Sequence, residues 1–347
     1  MELSYEEAPP LQPDQLTKYR TTLLLYVNGT RHEVAAADAN ATLLEWLRAQ
    51  GYTGTKLGCG EGGCGACTVV VSSRAHGTQE VRHAAVNACL MPLPAADWCA
   101  VTTVEGIGSV RSGKVHPIQA RLGALHGSQC GFCTPGIVMA MYGALRSSPR
   151  LSAEELTERL DGNLCRCTGY RPILDAASSL CVREGGADAN GSPGCSGNGA
   201  CGGNGACVGG GNGGCAPIEG VLPKDCKLLH DGDVVTCSAS KLQAHNTPYA
   251  LTEAASSEPP FPAELAVWPP APLHIPSTPA HRTAWWCPSS LDELLAIKAS
   301  LGAKARIVVG ASEVTIESRY KNIGTQVCVT SPGSPRRIGA SIGAASR

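Results

Sequence analysis

Eighteen cysteines stand among 347 residues, and eight of them form two groups whose spacing fits metal chemistry. The first is Cys59, Cys64 and Cys67, separated by four and two residues, with Cys89 following 22 positions later. That is the plant-type spacing for four thiolates around a 2Fe-2S cluster. Such a cluster is anionic, so its cradle needs backbone N–H groups close to sulfur, and Gly58, Gly60, Gly62, Gly63 and Gly65 permit that wrapping. A zinc ribbon or a run of buried thiols is the alternative, although zinc hooks usually come as two CxxC-like pairs. The second group is Cys130 and Cys133, two residues apart, with Cys165 and Cys167, one residue apart. Each pair precedes a helix start, where peptide dipoles favour thiolates. Alone, these four suit one zinc ion as well as a cluster. Their place directly after the first group favours a second 2Fe-2S cluster.

Thr21–Val27 reads as a strand, Asn28-Gly29 as a tight hairpin turn and Thr30–Ala35 as the return strand. Thr42-Leu43-Leu44-Glu45 is a capping box opening a helix that stops at Gly51. Thr68–Ser72 is a buried strand and Val101–Glu105 another, so a small mixed sheet packed on one helix carries the first group. From His116 the pattern turns helical. Helices are expected over His116–His126, from Thr134-Pro135 to about Arg146, after the capping box Ser152-Ala153-Glu154-Glu155, and from Pro172 to near Arg183. They predict a four-helix bundle around the second group. Order resumes at Ala284, with a short strand, a helix from Ser290 to Ser300 stopped by Gly302, and a strand Arg306–Val309.

The fold class is therefore α+β. Residues 1–20 are a disordered arm, 21–110 the mixed-sheet domain, 111–184 the helical domain, 185–283 a Gly-, Cys- and Pro-rich linker, and 284–347 a partial α/β module. The linker composition cannot bury enough apolar surface to fold unaided. Lys+Arg 28 against Asp+Glu 29 gives a net charge of −1, so no bulk field draws the chain to nucleic acid or an anionic membrane. No apolar run approaches the roughly 18 residues of a spanning helix. The start lacks a basic region followed by an apolar stretch, so a cytoplasmic protein is expected. There, clustered cysteines hold metal or do redox chemistry more often than they form disulfides.

Three motifs resemble the molybdenum hydroxylases: Cys59-Gly60-Glu61-Gly62-Gly63-Cys64-Gly65-Ala66-Cys67, Gln129-Cys130-Gly131-Phe132-Cys133-Thr134-Pro135-Gly136 and Asn163-Leu164-Cys165-Arg166-Cys167-Thr168-Gly169-Tyr170-Arg171-Pro172. Thr55-Lys56-Leu57-Gly58, Val86-Asn87-Ala88-Cys89-Leu90 and the stretch from Ser128 to Gly136 are most similar to the eukaryotic xanthine dehydrogenase branch. The resemblance runs from about residue 22 to 180. It implies a β-grasp ferredoxin-like domain and a helical domain, each holding one 2Fe-2S cluster that passes electrons from a molybdenum centre toward FAD, which reduces NAD. The parent reaction it implies is purine hydroxylation, xanthine to urate, by a homodimer.

The resemblance resumes at Phe261-Pro262-Ala263-Glu264-Leu265, the family's entry to its PCMH-type flavin domain. Ile307, Val308, Val309, Gly310, Ala311, Ser312, Glu313 and Val314 resemble the loop that wraps the FAD pyrophosphate, where free backbone N–H groups meet phosphate. Read without the family, a strand ending in Gly and small residues is mostly a plain turn, and Ala311 departs from the family's Asn. No domain core is expected to fix this loop. Gln129 resembles the glutamine that touches the pterin, with capping of the adjacent helix as its other role. Similarity fades after Lys321-Asn322 and Val327–Thr330. The rest of the flavin domain and the molybdenum domains, with their molybdopterin, are missing and would be the chain's partners. No catalytic residue is assigned. The alternatives are a truncated, non-catalytic iron–sulfur carrier, the iron–sulfur part of an aldehyde oxidase-type enzyme, or a separate iron–sulfur subunit.

The other cysteines read more plainly. Cys195, Cys201, Cys207 and Cys215 have no zinc spacing and are solvated linker thiols. Cys99, Cys181, Cys226, Cys237, Cys287 and Cys328 are isolated, as buried small hydrophobes or free thiols. His83, His116 and His126 have no partner spacing and are given no ligation.

Overall fold

The computed structural model describes residues 18–35, 37–74, 80–109, 113–181, 227–230, 233–236, 260–267, 271–278, 283–308, 312–320 and 327–330. β1 (Leu23–Val27) and β2 (Thr30–Val34) form the hairpin that Asn28-Gly29 predicts. Both turn residues take positive φ, 51° and 81°, as a two-residue turn matched to strand twist requires. α1 (Leu43–Ala49) starts at its capping box, with Thr42 Oγ1 accepting from Glu45 N and the Glu45 carboxylate accepting from Thr42 N. β3 (Thr68–Arg74), β4 (Val81–Asn87) and β5 (Cys99–Thr102) complete a five-stranded sheet in the order β2-β1-β5-β3-β4. β1 and β5 run parallel and the other neighbours antiparallel. β4 is mostly half-exposed, with Val86 its one buried residue, so it lacks the buried Val69-Val70-Val71 run that marks β3. β5 begins at Cys99 rather than Val101, and Val104–Ile107 closes into one helical turn, α2.

The helical part comprises α3 (Pro117–Ala124), α4 (Thr134–Ser147), α5 (Ala153–Glu158) and α6 (Arg171–Ser178). α6 stops short of Arg183. Buried Arg121 of α3 reaches its end and donates to the Ser179 carbonyl at 2.6 Å and to the Ser179 hydroxyl at 2.8 Å. α4 is apolar on nearly every side. It packs against α3 and α5 on one flank and against β3 and β4 on the other, burying Ile137, Val138, Met139, Met141, Tyr142 and Leu145. Glycine makes the sheet contact possible: a Cβ at Gly136 would lie 2.2 Å from the Gly65 carbonyl oxygen, and one at Gly143 would lie 3.0 Å from Ala85 Cβ.

Beyond residue 226 the structure differs from the linker reading. β6 (Lys227–His230) pairs with β7 (Asp233–Thr236), and Ala263–Ala266 forms a 3-10 turn. β8 (Leu273–Ile275), β9 (Ala284–Cys287), β10 (Ala305–Val308) and β11 (Val327–Thr330) form a sheet in the order β10-β11-β9-β8. α7 (Leu291–Leu301), capped by Ser290, follows β9, and α8 (Ser312–Tyr320), which the sequence reading lacks, follows β10. β9, β11 and β10 are parallel, so this is an α/β unit.

This unit packs α7 on its sheet, where Trp286 and Ala305 cluster with Leu294 and Ile297. It shares a core with the first sheet: Leu273, Ile275, Trp285 and Val308 pack in one cluster with Leu23, Leu25, Val69 and Leu47. A strap crosses the first sheet as well. Glu264 accepts from Tyr26 Oη at 2.6 Å and Arg31 Nε at 2.8 Å, Trp98 Nε1 donates to the Val267 carbonyl at 3.1 Å, and Arg20 N donates to the Pro272 carbonyl at 2.8 Å. Residues 260–267 and 271–278 therefore pack on the first domain rather than span a gap, and the flanks of the 307–314 stretch do have a core beneath them. The arm before Lys18, linker thiols Cys195, Cys201, Cys207 and Cys215, and Cys226 and Cys237 lie outside the described residues.

The helix–sheet contact generates a contrast between two helical glycines. Gly136→Ala should destabilise the chain by about 1–3 kcal/mol, because the new methyl meets backbone that cannot yield. Gly123→Ala, where an added Cβ meets nothing within 4 Å, should stabilise it by roughly 0.4–1 kcal/mol. Urea unfolding of both variants tests this; equal effects would contradict the close contact.

Candidate metal centres

The first thiol group is assembled by a strand register. β3 and β4 pair Thr68 with Asn87, so the residues just beyond them, Cys67 and Ala88-Cys89, come side by side, with Ala88 N donating to the Cys67 carbonyl at 3.3 Å. Cys67 and Cys89 are buried, and their thiols hydrogen-bond to one another. Cys59 and Cys64 sit half-buried on the glycine loop and form the other interacting pair. The loop approaches sulfur as its composition predicts. Cys59 N donates to Cys64 Sγ at 3.4 Å and Glu61 N donates to Cys59 Sγ at 3.3 Å. A Cβ at Gly58 would stand 2.7 Å from Cys64 Sγ. The Cys89 turn is fixed from α1, whose first N–H groups lack helical partners: Leu43 N donates to the Met91 carbonyl at 2.8 Å and Leu44 N to the Ala88 carbonyl at 3.0 Å.

The second group draws one pair from each side. Cys133 is the residue at which α4 begins, without a side-chain cap, and the Cys165 and Cys167 pair lies in the loop before Tyr170, where α6 begins. The thiols meet as Cys133 with Cys165 and Cys130 with Cys167. Tyr170, at φ 69°, is the residue that the sequence reading quotes without a role. Its hydroxyl accepts from Cys165 N at 2.8 Å and donates to the Asn163 carbonyl at 3.3 Å, and its own N–H donates to Thr168 Oγ1 at 3.2 Å. A left-handed tyrosine costs roughly 1–2 kcal/mol, and these three bonds hold it there. The signal available in sequence is the Gly169-Tyr170-Arg171-Pro172 turn, which needs a reversal before the helix.

Charge is shared unevenly within each group. Burial alone raises the Cys59 thiol, but the N–H of Glu61, the Cys64 side chain and the amides of Cys64 and Gly63 outweigh it and hold it below the ordinary thiol range. The hydrogen bond with Cys89, then burial, pushes Cys67 far up. In the second group the Phe132 amide and Cys167 pull Cys130 down, while burial and the bond with Cys165 push Cys133 up to about 12. Burial raises Cys165 as well, but the Thr168 hydroxyl and amide and the Cys167 amide bring it below its usual value. Four neighbouring thiolates repel, so some keep their protons; metal binding displaces those protons. Among the described residues, no three His, Cys, Asp or Glu side chains surround one point as ligands of a single ion would. The thiols meet in two pairs per group, which suits two irons with two thiolates each.

The two groups touch. Leu164 N donates to the Cys64 carbonyl at 2.9 Å, and buried Asn163 Nδ2 donates to the Gly65 carbonyl at 3.0 Å. Gly65, at φ 67°, leaves room for this crossing, since a Cβ there would lie 2.4 Å from the Gly162 carbonyl oxygen.

Other predicted residues scatter. Gln129 is exposed, and since α4 starts without a side-chain cap it does not take the capping role. Ile307 is exposed and Val308 buried at the end of β10, whereas Ser312, Glu313 and Val314 form the first turn of α8 rather than a loop. Val309, Gly310 and Ala311 lie outside the described residues. His116 caps α3 through Nδ1, and His83 Nδ1 lies 2.7 Å from Ser72 Oγ. Cys99 and Cys181 are buried and Cys287 half-buried.

Two family models match the chain. One, a 2Fe-2S iron-sulfur cluster binding domain, matches residues 25–94, and the other, a 2Fe-2S binding domain, matches residues 103–178. Xanthine dehydrogenase of Drosophila pseudoobscura pseudoobscura is 42% identical over 301 residues, covering 86% of this chain and 20% of that protein. Xanthine dehydrogenase of Emericella nidulans is 55% identical over 184 residues, covering 52% of this chain and 13% of that protein. The chain thus spans about one fifth or less of these relatives' length. Among solved structures, quinoline 2-oxidoreductase from Pseudomonas putida 86 is 34% identical, covering 45% of this chain and 90% of that one with a TM-score of 0.39.

Tyr170→Phe tests the construction of the second site. It leaves the Cys165 N–H without its acceptor and should cost about 1–3 kcal/mol. A denaturation midpoint equal to that of the parent chain would show that the hydroxyl has no such role.

Proposed function

Because the chain belongs to the molybdenum hydroxylase family, we propose that it is the iron–sulfur part of such an oxidoreductase, with Cys59, Cys64, Cys67 and Cys89 ligating one 2Fe-2S cluster and Cys130, Cys133, Cys165 and Cys167 the other. When bound, each cluster supplies a one-electron acceptor and donor whose potential follows charge, hydrogen bonding and exposure. The chain's own residues provide the rest. Cys59 N and Glu61 N place positive dipole ends against sulfur, the Tyr170 hydroxyl fixes the Cys165 backbone, and burial keeps water from Cys67 and Cys89. The observation that carries electron transfer is the bond from Leu164 N to the Cys64 carbonyl at 2.9 Å. It leaves one hydrogen bond and a few covalent bonds between a ligand of one group and Cys165 of the other.

The finer reading follows the family. Electrons pass toward FAD, whose pyrophosphate would meet the β10–α8 connection, residues Ile307 to Val314; a strand before it and a helix after it support that role. Molybdopterin and the remaining flavin site would belong to the part of such an enzyme that these 347 residues do not span. With that part the parent reaction is xanthine to urate with NAD, in a cytoplasmic homodimer. The cysteine content and the relatives' names support this reading. Among the described residues no helix is long and apolar enough to cross a membrane.

Iron and acid-labile sulfide analysis of the purified chain should give about four irons, two for each cluster. Cys64→Ser should remove one 2Fe-2S signal in electron paramagnetic resonance and leave the other. Loss of both signals from folded protein would contradict the two-site assignment.

These 347 residues alone should accept electrons from dithionite yet form no NADH from xanthine, because nothing in them resembles a molybdenum or purine site. Xanthine-dependent NADH formation, free of any longer partner, would overturn that division of labour.

A further inference from the structure

We infer that Thr315 is a positioning residue that couples the flavin-type segment to the Cys89 side of the first site. The inference rests on the proposed ligation by Cys89. Thr315 lies in α8, is 6% exposed, and donates from Oγ1 to the Leu90 carbonyl at 2.8 Å across 225 residues of sequence. Leu90 directly follows Cys89, and its own N–H donates to the Asn87 carbonyl at 3.0 Å. Asn87 Nδ2 in turn donates to the Gly62 carbonyl at 3.0 Å, inside the loop that carries the other three cysteines. The hydroxyl of Thr315 thus abuts a short, fully hydrogen-bonded turn whose position sets where the Cys89 sulfur stands.

The helix that presents Thr315 is itself fixed. An ion pair between Arg306 of β10 and Glu317 of α8 ties the helix to its strand. Val308 lies within the core that contains Cys67, Cys89 and Met91, and Val314 packs against it. Both ends of the 308–314 stretch are therefore anchored beside the same turn. Outer hydrogen bonds orient first ligands and tune the metal they hold, and the Thr315 hydroxyl offsets the negative end of the Leu90 carbonyl dipole one residue from Cys89, which favours the more negative, reduced form of a cluster. Removing the Thr315 hydroxyl should make the first site harder to reduce and leave the second unchanged.

The test uses the full chain with clusters reconstituted, titrated with dithionite and followed by the two resonance signals. Thr315→Val, nearly isosteric, should lower the midpoint of the signal that Cys64→Ser abolishes, with the other midpoint unmoved. Thr315→Ser, which restores a hydroxyl, should return it toward the wild-type value. A structural role alone predicts a lower unfolding midpoint in Thr315→Val with both potentials unchanged, and that result overturns the inference. A second measurement needs no variant, since coupling between two sites is reciprocal. In the wild-type chain, loading iron and sulfide should slow amide exchange across residues 312–317 several-fold relative to the metal-free chain, and equal exchange overturns the inference as well. A wild-type chain that assembles no cluster overturns the ligation itself and the coupling with it; clusters that assemble while the first midpoint ignores Thr315 overturn the coupling alone.

Discussion

A carbonyl and an amide of the main chain, Cys64 O and Leu164 N, meet at 2.9 Å where two cysteine loops cross. The crossing needs room beside that bond: a Cβ at Gly65 would strike the Gly162 carbonyl, and Gly136 lets the start of α4 lie against the Gly65 carbonyl. Asn163 then fills the remaining polar space, with its amide on the Gly65 carbonyl at 3.0 Å. Much else follows from this one contact. α4 must be apolar on nearly all sides because it is packed between α3 and α5 on one flank and β3 and β4 on the other, within one core, and the sheet must present small residues such as Ala85 where the helix arrives.

Within each site the governing constraint is electrostatic. Like charges in one cradle cannot all ionise without compensation, and the fold answers with backbone dipoles rather than cationic side chains. The lowered thiols, Cys59, Cys130 and Cys165, each receive amide or hydroxyl hydrogen bonds, whereas the raised ones, Cys67, Cys133 and Cys167, are bonded to another thiol, with burial adding to the rise at Cys67 and Cys133. Amide dipoles are fixed by the loop conformation and need no flexible side chain to be held in place. That suits a site meant to change charge by one unit without rearranging.

Local chemistry made the cysteine groups, the Asn28-Gly29 hairpin and the capping boxes at Thr42 and Ser152 legible from sequence, because each depends on residues a few positions apart. β4 was not legible. Its apolar residues, Val81, Ala84, Ala85 and Val86, do not alternate with polar ones as a half-buried strand's would, and only its pairing with β3 makes it a strand. The role of Tyr170 was hidden for a related reason: its hydroxyl acts on backbone five and seven residues away, through a left-handed turn that composition does not reveal. The packing of residues 260–267 and 271–278 on the first sheet was hidden more deeply. Its polar, proline-rich composition reads as linker, and the apolar surface that Leu273 and Ile275 cover belongs to a domain more than two hundred residues earlier.

That late packing bears on how the chain is made. The first sheet and α1 emerge from the ribosome early, but Arg20 has to wait for Leu273, 253 residues downstream, before its backbone is paired. At translation rates of about 5–20 residues per second the interval is on the order of ten to fifty seconds. Throughout it the apolar surface later covered by Leu273, Ile275, Trp285 and Val308 stays open to solvent. The nascent amino-terminal domain is thus a natural client for chaperones during synthesis. Cys67 and Cys89, which lie in that same core, are most readily reached from solvent in that window.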